Sequence, residues 1–176
     1  NPSKARAPAG FFVFVHCSAR IAFFYREIPM IEWQWAQLSG LSSVDTLTML
    51  QLRQAVFILE QTCLYPDIDE QDHHAWHLLG KQHGQLVAYA RVLAPGKKYA
   101  EAAMGRVLTA PDSRGSGLGK ILVSEAVKRA QQTYPDAGVR ISAQLYLLDF
   151  YRAFGFKETS QPYDEDGIPH IEMHLK

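Results

Sequence analysis

Arg114, Gly115, Ser116, Gly117, Leu118, Gly119 and Lys120 set three glycines at alternate positions between two cations. They follow an apolar run, GRVLTAP, and lead into an amphipathic one. A loop that passes from a strand into a helix offers unpaired N–H groups and the positive end of a helix dipole, so it favours an anion. Glycines let such a backbone approach its ligand closely. Two common phosphate loops do not fit. A P-loop needs a glycine at position 114 and Ser or Thr at 121, where this chain has Arg114 and Ile121. The dinucleotide fingerprint needs G-x-G-x-x-G and a later acidic residue on a strand, and the spacing here is G-x-G-x-G.

Other side chains could move protons or bind cations. Glu60 ends the mostly apolar VFILEQ, where a raised pKa would suit a general base, although a salt bridge with Arg53 would account for it equally. His170 lies in GIPHIEMHLK, where it shares a strand face with Glu172 and His174 and titrates in the useful range. It could equally be an exposed strand residue. Asp72, His73, His74 and His77 include an i, i+4 histidine pair that could ligate zinc, but no further ligand cluster follows and no metal is expected. The acidic loop around them, with Asp67, Asp69, Glu70 and Asp72, is expected to cap a pocket and attract a cationic amine.

The elements that must position these groups can be read from periodicity. Ile31 to Ala36 alternates as a strand, and Trp33 and Trp35 on one face of it suggest core or interface. Ser42 and Ser43 can cap a helix over about 44–62, continuous or broken in the middle. Residues 76–80 and 85–93 read as strands joined at KQHG, and 104–109 as the next strand. Apolar residues from Leu118 to Ala130 recur at helical spacing, giving a helix over about 117–132 that Pro135 stops. GVRISAQ is a strand, 147–154 a short helix ended by Gly155, and FKETSQ and HIEMHLK close the chain as strands. The order is that of a mixed α/β domain with one sheet.

R-x-x-G-x-G, as it stands from Arg114 to Gly119, resembles the pyrophosphate loop of the GCN5-related N-acetyltransferases (GNAT), which bind acetyl-coenzyme A. GRVLTAP is similar to that family's fourth strand, and ISAQ and FYRAFGF follow in the family's order. LRQAVFILEQTCLYPDIDEQD and YDEDGIPHIEM resemble the ElaA-like branch, and the likeness runs from Met30 to the end. It implies an α/β fold with a mostly antiparallel mixed sheet flanked by helices and splayed beside the cofactor loop. It implies that backbone at Val107, Leu108 and Thr109, the end of ISAQ at Gln144, and residues 114–120 hold acetyl-coenzyme A. Thr109 departs mildly from the family's usual Val. Tyr151 would face the sulfur as general acid, although the residues alone would also suit a core-edge aromatic beside Phe150 and Phe154. The implied activity is acetyl transfer to a primary amine, on a small molecule or a protein, by direct attack. A non-catalytic acyl-coenzyme A-binding module is the alternative.

The whole chain sets outer bounds. Its 176 residues suit one domain, and 47% hydrophobic with 20% charged residues is a globular composition. Net charge is zero, which gives no reason to expect nucleic acid. Two cysteines, Cys17 and Cys63, point away from a disulfide framework and towards a reducing, cytoplasmic setting. Residues 1–29 carry a net +3 and an apolar run, Phe11 to Val15, too short to span a membrane. They read as an extension outside a catalytic domain over 30–176, or as an added hairpin. No membrane partner is expected, and a homodimer would be the commonest assembly.

Overall fold

The computed structural model describes residues 30–63 and 65–176. The reading of residues 1–29 lies outside them. Among the described residues eight strands form one sheet: β1 (Glu32–Gln37), β2 (Trp76–Gln82), β3 (Gln85–Leu93), β4 (Ala102–Thr109), β5 (Val139–Gln144), β6 (Lys157–Glu158), β7 (Tyr163–Glu165) and β8 (Ile168–Leu175). Their order is β1-β2-β3-β4-β5-β8-β6, with β7 also paired to β8. Every pairing is antiparallel except β4 with β5. This is the mostly antiparallel mixed sheet anticipated, with one strand more. Asp166-Gly167, both at positive φ, make the tight β7–β8 turn, a local signal present in the sequence.

Helices α1 (Ser43–Arg53), α2 (Leu118–Thr133) and α3 (Leu148–Arg152) flank the sheet. Ser42 starts α1, its Oγ accepting from the Asp45 amide at 3.0 Å. α1 then continues as a π-helical segment over Gln54–Glu60, which widens the turn and carries Phe57 to the sheet. α2 turns Leu118, Leu122, Val123, Ala126 and Ala130 inward at the spacing its sequence shows. β3 has helices against both faces, so eight of its nine residues are buried. One core joins α2 and α3 to the sheet, and a second joins Met49, Val56 and Phe57 to Leu79, Tyr89 and Leu108. Trp35 stacks on Trp76 across β1 and β2, with ring centroids 5.3 Å apart. Among the described residues, no helix is long and apolar enough to cross a membrane.

The acidic loop does not cap a pocket as a cation trap. Its carboxylates turn inward onto three arginines. Arg53 of α1, wholly buried, reaches Asp67 at 2.9 Å and Asp72 at 2.7 Å. Arg91 of β3 reaches Asp69 at 2.7 Å and Asp72 at 2.8 Å, and Arg106 of β4 reaches Asp67 at 2.6 Å. Three carboxylates answer three guanidinium groups, so the cluster has no charge left for a substrate. Glu70 alone faces solvent fully. His77 is buried against Tyr89 and the Asp72 carbonyl, so Asp72, His73, His74 and His77 do not converge as ligands. The physical reason is desolvation: buried guanidinium groups need carboxylates, and the loop supplies them.

Burial alone would raise the Asp72 carboxyl, but hydrogen bonds from Arg53 and Arg91 outweigh it and hold the pKa at about 2. The ordinary value is 3.8, so this contribution to stability is present above about pH 4 and is lost as pH falls through about 2. Asp72→Asn is expected to destabilise the fold by about 3–5 kcal/mol in urea melts at neutral pH. The gap between variant and wild type should close as pH falls towards 2.

Candidate functional site

β4 and β5 are hydrogen-bonded only where Ala102 meets Val139 and Ala103 meets Arg140. Beyond that point they part, β4 running to Thr109 and β5 to Gln144. β4 keeps β3 on its other side, so from Met104 onward its cleft-facing edge has no strand partner among the described residues. On the β3 side, Arg106 and Val107 together stand opposite Ala90, a bulge that bends β4 where it leaves β5. Arg106 takes a φ of +51°, which costs a side-chain-bearing residue about 1–2 kcal/mol. Its ion pair with Asp67 and its place over the rings of Phe57 and Tyr65 hold it there.

The gap is a cleft of about 190 Å³. Met104 to Val107 form one wall and Ile141 to Gln144 the other. Phe57 and Gln61 close one side, Tyr151 sits at the base of α3, and Glu165, Asp166 and His170 come from the β7–β8 hairpin. The sequence-derived candidates Val107, Gln144, Tyr151 and His170 therefore meet in one place. Leu108 turns its side chain into the core beside Tyr89, leaving only its backbone to the edge, and Thr109 ends the strand.

Tyr151 is only 6% exposed, wedged edge-on against Phe150 and Phe156. Burial pushes its phenol pKa well above the ordinary value of 10.0. His170 stacks on Tyr163, and its Nδ1 lies 2.7 Å from the Ile168 carbonyl. A carbonyl oxygen only accepts, so a neutral imidazole here carries its proton on Nδ1 and keeps a lone pair on Nε2.

The glycine loop lies at the far end of β4, after a 3-10 turn over Pro111–Ser113. Gly115 and Gly117 have φ of +74° and +85°, a conformation that explains glycine at both. Gly119 is helical, and a Cβ built on any of the three would meet no protein atom within 4 Å. Ser116 Oγ donates to the Ser113 carbonyl at 2.7 Å and accepts from the Leu118 amide at 3.4 Å. The amides of Gly115, Ser116, Gly117 and Gly119 find no acceptor among the described residues. Lys120 follows in the first turn of α2.

Glu60 is not where an apolar setting would put it. Its carboxylate, 41% exposed, makes a two-pronged pair with Arg114 of the loop, both contacts at 2.8 Å. Those hydrogen bonds hold its pKa below the usual carboxylate range, so the raised value expected of a base is not found. Nor is its partner Arg53, whose guanidinium belongs to the buried cluster. Next along the chain, Gln61 Oε1 accepts from Gln144 Nε2 at 3.4 Å. The end of the π-helical segment thus touches the glycine loop on one side and β5 on the other. Sequence reasoning missed Gln61, Arg106, Glu165 and Asp166 as cleft residues. Only the Asp-Gly turn signal could have brought the last two forward.

Comparison with known proteins agrees with this geometry. A family model described as an acetyltransferase (GNAT) domain matches residues 44–176. UPF0039 protein sll0451 of Synechocystis is 44% identical over 144 residues, covering 81% of this chain and 94% of that protein. Protein ElaA of Escherichia coli is 42% identical over 146 residues, covering 82% and 95%. The crystal structure of Escherichia coli ElaA superposes with a TM-score of 0.79 at 40% identity, over 84% of this chain and 100% of that one. An acyl-CoA N-acyltransferase from Pseudomonas aeruginosa also gives 0.79, at 34% identity over the same shares. With a parted β4 and β5, a strand-to-helix glycine loop and relatives of this similarity, the chain belongs to the GNAT acetyltransferase family, in the branch that contains ElaA.

Proposed function

We propose that the chain transfers an acetyl group from acetyl-coenzyme A to a primary amine, by direct attack while both substrates are bound. The observation that carries this reading is the edge of β4, which is unpaired among the described residues and ends at a loop whose amides find no acceptor among them. Coenzyme A is an extended chain containing two amides and bearing a pyrophosphate. An extended amide chain can pair with an open strand edge as an added strand does. A pyrophosphate suits the amides of residues 115–119 at the start of α2, with Arg114 and Lys120 as supporting cations. The open space at Gly117 and Gly119 fits a ligand that must come close to the backbone.

In this reading the acyl group lies beside Val107 to Thr109, and backbone N–H groups there stabilise the oxyanion. The amine lone pair attacks the thioester carbon, a C–N bond forms, and the C–S bond breaks. Tyr151 gives the departing sulfur a proton. Its raised pKa makes it a weak acid, but it keeps the phenol protonated at neutral pH and able to donate. The proton lost by the amine goes to Nε2 of His170, directly or through water. Glu60 is better suited to holding Arg114 than to taking a proton, since Arg114 already stabilises its charged form.

Three outcomes are expected. Gly117→Val should remove acetyl-coenzyme A binding in calorimetry while circular dichroism stays native, because a side chain would fill the anion's space and φ there is +85°. Tyr151→Phe should lower kcat about 10²-fold or more with the KM for acetyl-coenzyme A within about threefold. A binding module would show no turnover to lower. Glu60→Gln should free Arg114 and tighten acetyl-coenzyme A binding by up to about tenfold, the range of an exposed ion pair. A loss of turnover of about 10²-fold would instead make Glu60 the base.

A further inference from the structure

The β7–β8 hairpin lines one side of the cleft. Glu165, the last residue of β7, accepts a hydrogen bond from Ser142 Oγ at 2.8 Å and a longer one from the Tyr163 hydroxyl at 3.3 Å. Both donors are neutral, so they orient the carboxylate without cancelling its charge. Burial would raise its pKa, but the Ser142 hydrogen bond and the nearby charge of Lys98 lower it overall, so it is ionised at neutral pH. Asp166, at the tip of the turn, also lines the cleft and makes no ion pair among the described residues. The guanidinium groups in the same wall offer these carboxylates nothing. Arg91 is held by Asp69 and Asp72, and Arg106 by Asp67. Lys98 Nζ sits over the ring of Tyr99, 5.2 Å from its centroid. Tyr151 of α3 lines the same cleft; it is 6% exposed, and its hydroxyl has no hydrogen-bond partner among the described residues.

Two carboxylates near an acyl transfer site raise a chemical difficulty. An amine is a nucleophile only when it has lost its proton, and a carboxylate in contact with it would stabilise the ammonium form. Glu165 and Asp166 therefore do not suit the reacting nitrogen. They suit a second cationic group on the same molecule, one that stays protonated while the first nitrogen attacks. On the reading of the site as an acetyltransferase centre, we infer that the acceptor is a diamine or polyamine. One nitrogen attacks beside Tyr151, and the distal ammonium is held by Glu165 and Asp166. The two carboxylates are specificity-determining residues and take no part in proton transfer.

The test is steady-state kinetics of the full chain with acetyl-coenzyme A, comparing putrescine and spermidine with butylamine and following thiol release. Wild type should favour either polyamine over butylamine in kcat/KM by at least about tenfold. Asp166→Asn should cut that ratio several-fold through the KM of the diamine, and Glu165→Gln with Asp166→Asn should bring it close to one. Asp166 makes no ion pair within the described protein, so its single variant remains readable if Glu165→Gln, which weakens the Ser142 contact, disturbs the hairpin. Equal kcat/KM for butylamine and putrescine in wild type would overturn the assignment, as would a diamine KM that Asp166→Asn leaves in place. Calorimetry with acetyl-coenzyme A separates the two levels. Binding with thiol release but no diamine preference refutes the acceptor assignment alone. No binding removes the acetyltransferase reading and this inference with it.

Discussion

The site depends on the point at which β4 and β5 stop pairing. After Ala103, β4 carries an edge of N–H and C=O groups that no neighbouring strand among the described residues takes up. An unpaired edge in the middle of a sheet is a liability in an ordinary fold, since buried backbone groups need partners. Here it opens a cleft, and α3, the β7–β8 hairpin and the end of the α1 extension converge on it. The bulge at Arg106 and Val107 bends β4 at the place where it leaves β5. The same strand ends at the glycine loop, so one element sets both the edge and the start of the anion-binding turn.

The parting must be held open from outside the sheet pairing. The buried cluster of Arg53, Arg91 and Arg106 with Asp67, Asp69 and Asp72 ties α1, β3 and β4 to one loop. Such a cluster adds little net stability over an apolar core, because desolvating six charges offsets most of their attraction. What it supplies is placement. It fixes Arg106 in a left-handed conformation that the bulge needs, and it sets the wall from which Phe57 and Tyr65 face the cleft. The relation between Glu60 and Arg114 differs in kind. It is exposed, made by one pair, and lies where an anion would compete for the arginine.

Much of this was legible in the sequence where the signal was local. The glycine loop, the helix after it and the strand before it are contiguous, and their types agree with one another. The apolar face of α2 appeared with the spacing its residues show. What sequence could not supply was pairing at long range. Glu60 and Arg114 are 54 positions apart, and nothing local distinguishes Arg114 from Arg53 as a partner. The acidic loop reads as a trap for a cationic amine until three arginines from three separate elements are found beneath it. The π-helical segment follows the same apolar rhythm as an α-helix over so few residues, so the sequence shows a helical region with room for a break but not the kind of turn that follows it. β7, three residues long, was missed although Asp166-Gly167 announces its turn.

The most direct test of the account follows backbone amides. Hydrogen exchange of the full chain should be measured with and without acetyl-coenzyme A, and with ATP and NAD as controls. Exchange over residues 104–109 and 115–119 is expected to slow with acetyl-coenzyme A, with no change of comparable size with NAD. Protection that misses both segments, or that NAD reproduces equally, would contradict the claim that the β4 edge and the glycine loop together hold an acyl-coenzyme A.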